Sequence, residues 1–126
     1  MDMKDENELT GKVIGCAIEV HRNLGPGLLE SVYERCLSSE LSANNIHHDV
    51  QKELPIKYKH TDFDCGYRID LLIEDKLIVE LKSVEKLLSV HEAQLLTYIK
   101  LANISTGLLI NFNVALLKDG IKRFVL

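Results

Sequence analysis

From Glu8 to Leu24 the apolar residues Leu9, Val13, Ala17, Val20 and Leu24 recur at the spacing of one helix face. The stretch Gly25-Pro26-Gly27 stops that helix, and a second is expected from about Leu28 to Ala43, ended by Asn44 and Asn45. Ile46 to Lys59 reads as an irregular strand in which Pro55 marks an edge or a bulge. His60 to Gly66 reads as a loop, and "YRIDLLIEDKLIVELK" (Tyr67–Lys82) as two strands. A helix follows over Val90 to Ala102, with Ala93, Leu96 and Leu101 in its apolar stripe. Thr106 to Phe112 is a short buried strand, "KDG" (Lys118–Gly120) a turn, and Ile121 to Val125 the last strand. The order α-α-β-β-β-α-β-β implies an α/β fold, a mixed central sheet with helices on its faces. Residues 1 to about 7 read as a flexible tail on a single domain spanning 1–126.

The hairpin carries a conflict. Asp70, Glu80 and Lys82 interrupt two apolar runs, and burying a charge is costly unless it is paired or binds a metal. The only turn signal is Glu74-Asp75-Lys76. With a three-residue loop Ile73 pairs with Leu77, Leu71 faces Val79 and Ile69 faces Leu81, all six on one face. The other face then sets Arg68 across from Lys82, Asp70 across from Glu80 and Leu72 across from Ile78. A two-residue turn would mix charges into the core. In the odd register the Asp70 and Glu80 Cβ atoms lie roughly 5 Å apart. Like charges that close repel, and a divalent cation between them reverses the sign. Lys82 lies on the same face, about 7 Å further along the strand. On the hairpin alone two readings stay open: a solvated polar face with two salt bridges, or a cation site.

Composition narrows the classes. The 126 residues are 46% hydrophobic and 27% charged, ordinary for a folded domain. No apolar run reaches the roughly 18–20 residues of a membrane span, and the acidic start "MDMKDENELT" is unlike a signal peptide. Three widely spaced cysteines, Cys16, Cys36 and Cys65, argue against a disulfide framework or a zinc cluster and for a reducing cytoplasm. The net charge of −4 speaks against general basicity as a means of holding nucleic acid. It leaves room for a metal-dependent nucleic-acid enzyme with a local basic strip.

The spacing D-x9-E-x-K from Asp70 to Lys82 resembles the PD-(D/E)XK nuclease superfamily. "QLLTY" (Gln94–Tyr98), on the helix after the E-x-K strand, looks like the Q-x-x-x-Y motif of its RecB-like branch. "GLLESVY" (Gly27–Tyr33) is similar to the G-x-x-E-x-x-Y signature that names one small family there, and "VHRNLGPGLLESVYE" and "LLINFNVALLKDGIKR" resemble it too. The resemblance covers nearly the whole chain and implies a restriction-endonuclease-like core. It implies Mg²⁺ or Mn²⁺ held by Asp70 and Glu80, with the Leu81 carbonyl as a third ligand and Glu30 joining directly or through water. It implies Lys82 as the catalytic lysine, Glu30 in the catalytic set, and Gln94, Tyr98 and Tyr33 on the substrate side. Glu30 and Tyr33 are three apart and Gln94 and Tyr98 four apart, each pair on one helical face. The sequence departs from the pattern in one place: Ile69, not proline, precedes Asp70.

The implied activity is hydrolysis of phosphodiester bonds in nucleic acid, taken as DNA. The rival is a nucleic-acid or protein binding module on the same fold with little turnover. A homodimer, or a subunit whose partner supplies the DNA-binding surface, is a third arrangement. Other candidates are weaker. His21 could approach the site from the "GPG" turn, though a capping or core role fits it better. His47 and His48 point to opposite faces of a strand and cannot chelate together, His60 falls in a loop, and His91 starts a helix. Ser31 and Ser83 lack a His/Asp relay, and no phosphate-cradling glycine motif is present.

Overall fold

A computed structural model describes residues 3–126. Two helices come first, α1 (Met3–Leu24) and α2 (Glu30–Ala43). The strands β1 (His48–Glu53), β2 (Ile56–Tyr58), β3 (Thr61–Phe63), β4 (Arg68–Ile73) and β5 (Leu77–Lys82) follow. Helix α3 (Ser89–Ala102), β6 (Thr106–Asn111), a 3-10 turn (Leu117–Gly120) and β7 (Ile121–Val125) complete the chain. The main sheet runs β1-β4-β5-β6-β7, with β5 and β6 parallel and the other neighbours antiparallel. Its elements keep the expected order α-α-β-β-β-α-β-β, and a separate β2–β3 hairpin is inserted between β1 and β4.

Both faces of the sheet are covered, which is why its central strands are apolar almost throughout. Val13, Ala17 and Val20 of α1 and Tyr33, Leu37 and Leu41 of α2 pack on Leu71, Ile73, Val79, Leu81, Leu108 and Ile110. On the other face Leu95, Tyr98 and Ile99 of α3 pack on Leu72, Ile78 and Leu109. Helix α3 crosses β6 at Gly107, where an added Cβ would lie 2.7 Å from the Ile99 Cδ1 and 2.9 Å from the Leu95 Cδ1. A larger residue there would have to push these side-chain ends aside. The turn between α1 and α2 uses Gly25 and Gly27 at φ 72° and 97°.

Four expectations change. The part of the 1–7 tail that is described is helical, since α1 starts at Met3; residues 1 and 2 lie outside the described residues. Glu6 accepts hydrogen bonds from Ser105 Oγ at 2.9 Å and Thr106 Oγ1 at 2.8 Å, and these tie the first turns to β6. The single strand over Ile46–Lys59 is two, because Pro55 lacks an N–H and the Leu54 amide turns to the Tyr67 carbonyl at 3.0 Å. The loop over His60–Gly66 contains β3, paired with β2. Finally, Ile69 packs with Leu54, Leu72 and Ile78 under α3, not with Leu71 and Ile73. The alternation along β4 is lost just where the chain meets Asp70.

Candidate active site

The β4–β5 turn is the three-residue loop expected, with Ile73 paired to Leu77 and the Lys76 amide bonded to the Ile73 carbonyl at 2.8 Å. Glu74 and Asp75 adopt left-handed φ of 53° and 56°, the backbone that suits the twist of a tight hairpin. Regular pairing continues through Leu72–Ile78 to Leu71–Val79. One step further the same register sets Asp70 across from Glu80, and side chains take over there. The Asp70 amide donates to Glu80 Oε2 at 2.8 Å, and the Leu81 amide donates to Asp70 Oδ2 at 2.9 Å. Each carboxylate satisfies an amide of the opposite strand, so β4 and β5 part at this point. On its other edge β5 stays paired with β6 through Glu80–Leu109 and Lys82–Asn111. The split is one-sided, and β6 holds β5 in place while the carboxylates fill the gap.

Glu80 is 4% exposed. Burial, reinforced by the negative charge of Asp70 and a hydrogen bond with its carboxylate, pushes the Glu80 pKa up to about 8. The Asp70 amide and the Lys82 ammonium pull the other way without offsetting this. Without a cation, Glu80 therefore keeps its proton near neutral pH. Among the described residues no three His, Cys, Asp or Glu side chains form a ready cage for a metal. Two facing carboxylates, one of them destabilised as an anion, nevertheless fit a Mg²⁺-type ion, which takes one or two carboxylates and completes its shell with waters and substrate oxygens.

Lys82 is half-buried, two residues beyond Glu80, and its Nζ lies 3.5 Å from Gln94 Oε1. Gln94 Nε2 donates to the Tyr98 hydroxyl at 3.1 Å, one turn further along α3. Burial, with the Glu80 carboxylate nearby, pushes the Tyr98 pKa up, so its hydroxyl remains protonated. Lys82, Gln94 and Tyr98 line a cleft of about 860 Å³ that also takes in Tyr67 and Leu101.

The α2 candidates divide. Glu30 is exposed in the first turn, and its charge, together with that of Asp70, helps to raise the pKa of half-buried Glu34, though burial is the larger cause. Tyr33 is fully buried and leaves the substrate set. Its ring stacks on Phe112 with centroids 4.4 Å apart, and its hydroxyl donates to the Gly25 carbonyl at 2.6 Å and accepts from the Leu28 amide at 3.1 Å. It locks the glycine turn that sets the start of α2.

Two residues join the site that sequence reasoning missed. Gln51 Nε2 donates to Glu34 Oε2 at 2.7 Å and to Asp70 Oδ1 at 3.2 Å, and so bridges α2 to the site. Its backbone has φ 52°, unusual for a non-glycine residue within a strand. Glu34 lies four residues after Glu30, on the same helical face, and that spacing could have flagged it.

His91 lines the same cleft as Lys82 and Gln94, whereas His21 and His48 lie away from it. His21 is buried, with Nε2 2.8 Å from the Val114 carbonyl. His48 bridges Ser38 and the Ile46 carbonyl, and His91 accepts the Leu88 amide at the start of α3.

Residues 7–124 match the family model of the PD-(D/E)XK nuclease superfamily, and the chain belongs to that superfamily. Its members are generally nucleases and typically use divalent metals. No curated protein and no solved structure matches the chain. Among the described residues no helix is long and apolar enough to cross a membrane.

Proposed function

We propose that this protein is a Mg²⁺- or Mn²⁺-dependent deoxyribonuclease of the branch marked by the G-x-x-E-x-x-Y and Q-x-x-x-Y motifs. The observation that carries the reading is the one-sided split of β4 from β5, which sets the buried Glu80 carboxyl against Asp70 beside the Lys82 ammonium. Asp70, Glu80 and the Leu81 carbonyl would hold the ion, with Glu30 reaching it through water. When bound, the ion offsets charge on the phosphate and acidifies a coordinated water.

The protein's own groups do the rest. Lys82 cannot ligate a cation while protonated, so its ammonium serves the phosphate or the attacking water. Its contact with Gln94 is long at 3.5 Å, which leaves it available to an incoming oxygen. Gln94 orients Lys82 through its carbonyl and Tyr98 through its amide, and the protonated Tyr98 hydroxyl can donate to a phosphate oxygen. Three free thiols fit a reducing compartment, and the cytoplasm is the proposed location.

The reading is tested with labelled single-stranded, duplex and branched DNA, and RNA, in Mg²⁺ and Mn²⁺. Cleavage of DNA that stops on chelation and in Glu80→Gln supports it. Intact nucleic acid throughout, from protein shown to bind metal, would leave the binding module in its place.

A further inference from the structure

The chain carries a net charge of −4, yet among the described residues no aspartate or glutamate lines the cleft, and Lys82 is its one lysine or arginine, with His91 beside it. The remaining lining is largely apolar or aromatic, including Ile56, Tyr67, Val90, Tyr98 and Leu101. Tyr67 is 45% exposed, and its ring meets Tyr98 edge-on at 6.1 Å. Its backbone is fixed too, since its carbonyl accepts the Leu54 amide at 3.0 Å.

The inserted hairpin extends this surface. Ile56 pairs with Phe63 and Tyr58 with Thr61, so Ile56, Tyr58 and Phe63 share one face of the hairpin. Ile56 lines the cleft, and Phe63 and Tyr58 continue its face at 47% and 64% exposure. Lys59 Nζ lies 5.5 Å from the centre of the Tyr58 ring. Of the chain's four tyrosines and three phenylalanines, three, Tyr58, Phe63 and Tyr67, are therefore exposed on one surface that starts at Lys82, with Tyr98 buried beneath it.

We infer that Tyr67 and the β2–β3 hairpin form a base-stacking platform, and that the cleft takes unpaired nucleotides of a single strand in preference to a duplex. Exposed aromatic faces interspersed with lysines bind single strands by stacking, which paired bases inside a duplex cannot offer. A duplex needs a broad basic surface to meet both backbones, and the net charge and the single cleft lysine provide none. The inference rests on the nuclease reading for the identity of the polymer, and it adds the form of substrate and the surface that selects it.

The test measures binding of fluorescein-labelled oligothymidine of about 12 nucleotides, alone and annealed to its complement, by anisotropy in EDTA. Cleavage of the same strands in Mg²⁺ is followed separately. The single strand is expected to bind more tightly than the duplex. Tyr67→Ala and Phe63→Ala are each expected to weaken it roughly tenfold, the loss of one stacked base, while Tyr67→Phe retains binding and Tyr67→Leu, which keeps apolar bulk, does not. Equal or tighter duplex binding, or unchanged affinity in Tyr67→Ala, would overturn the platform and leave the nuclease reading to stand on duplex cleavage. Tyr67-dependent strand binding without cleavage in Mg²⁺ would uphold the platform and overturn the nuclease. Neither binding nor cleavage would overturn both.

Discussion

The Glu80 carboxylate accepts the Asp70 amide at 2.8 Å one step beyond the last regular β4–β5 pair, Leu71–Val79. The two carboxyl groups thus join β4 to β5 where the regular ladder ends, and the metal-free protein holds them together by keeping a proton on Glu80.

A divalent ion is therefore expected to raise the melting temperature, since binding to the folded state alone stabilises it by about 2.7 kcal/mol at a hundredfold excess over Kd. Asp70→Asn or Glu80→Gln should each remove most of that rise. The metal-free Glu80→Gln protein should match or exceed wild type in stability, because the amide resembles the protonated acid. Equal metal stabilisation in the double variant would exclude the pair as the binding site.

The same pair sets a pH dependence. The folded Glu80 pKa, about 8, lies above its ordinary value of 4.5, so the folded state holds the extra proton between these limits. Metal-free stability is present in full at low pH and falls as pH rises through about 8. Urea unfolding from pH 5 upward should show this decline, with Glu80→Gln flattening it. Metal binding must expel the proton, so affinity should rise about tenfold per pH unit in the window below the folded pKa.

Tyr33→Phe tests the core assignment. It leaves the Gly25 carbonyl and Leu28 amide without their hydroxyl partner, at a cost of roughly 0.5–1.5 kcal/mol. A lowered urea midpoint with unchanged KM is the expected outcome. A raised KM with unchanged stability would return Tyr33 to the substrate side.

Gln51→Gly separates strain from positioning. It relieves a left-handed backbone worth about 1 kcal/mol, and it removes the donor that ties Glu34 to Asp70. Melting should shift little, while metal affinity measured by calorimetry falls roughly tenfold, as when the groups that orient a ligand are lost.

The hairpin register was legible because six apolar residues and one turn signal admit a single arrangement that keeps charge out of the core. Ile69 escaped that logic because alternation assumes an intact ladder, and the carboxylates break it. Tyr33 was misplaced because three-residue spacing sets it on the side of the helix that carries Glu30 without showing how far the buried sector reaches. The β2–β3 hairpin was hidden because its strands are only three residues each and mostly exposed. The partners of Glu6 lie almost the whole chain away, beyond any local pattern.

The central claim is that Asp70 and Glu80 hold the ion while Lys82 acts on the phosphate or the water. It is tested most directly by measuring Mn²⁺ affinity and the DNA cleavage rate side by side in wild type and Lys82→Ala. The account expects Mn²⁺ affinity to survive and the rate to fall by about 10²–10⁴. Cleavage undiminished in Lys82→Ala, or a loss of rate wholly explained by lost Mn²⁺ binding, would contradict it.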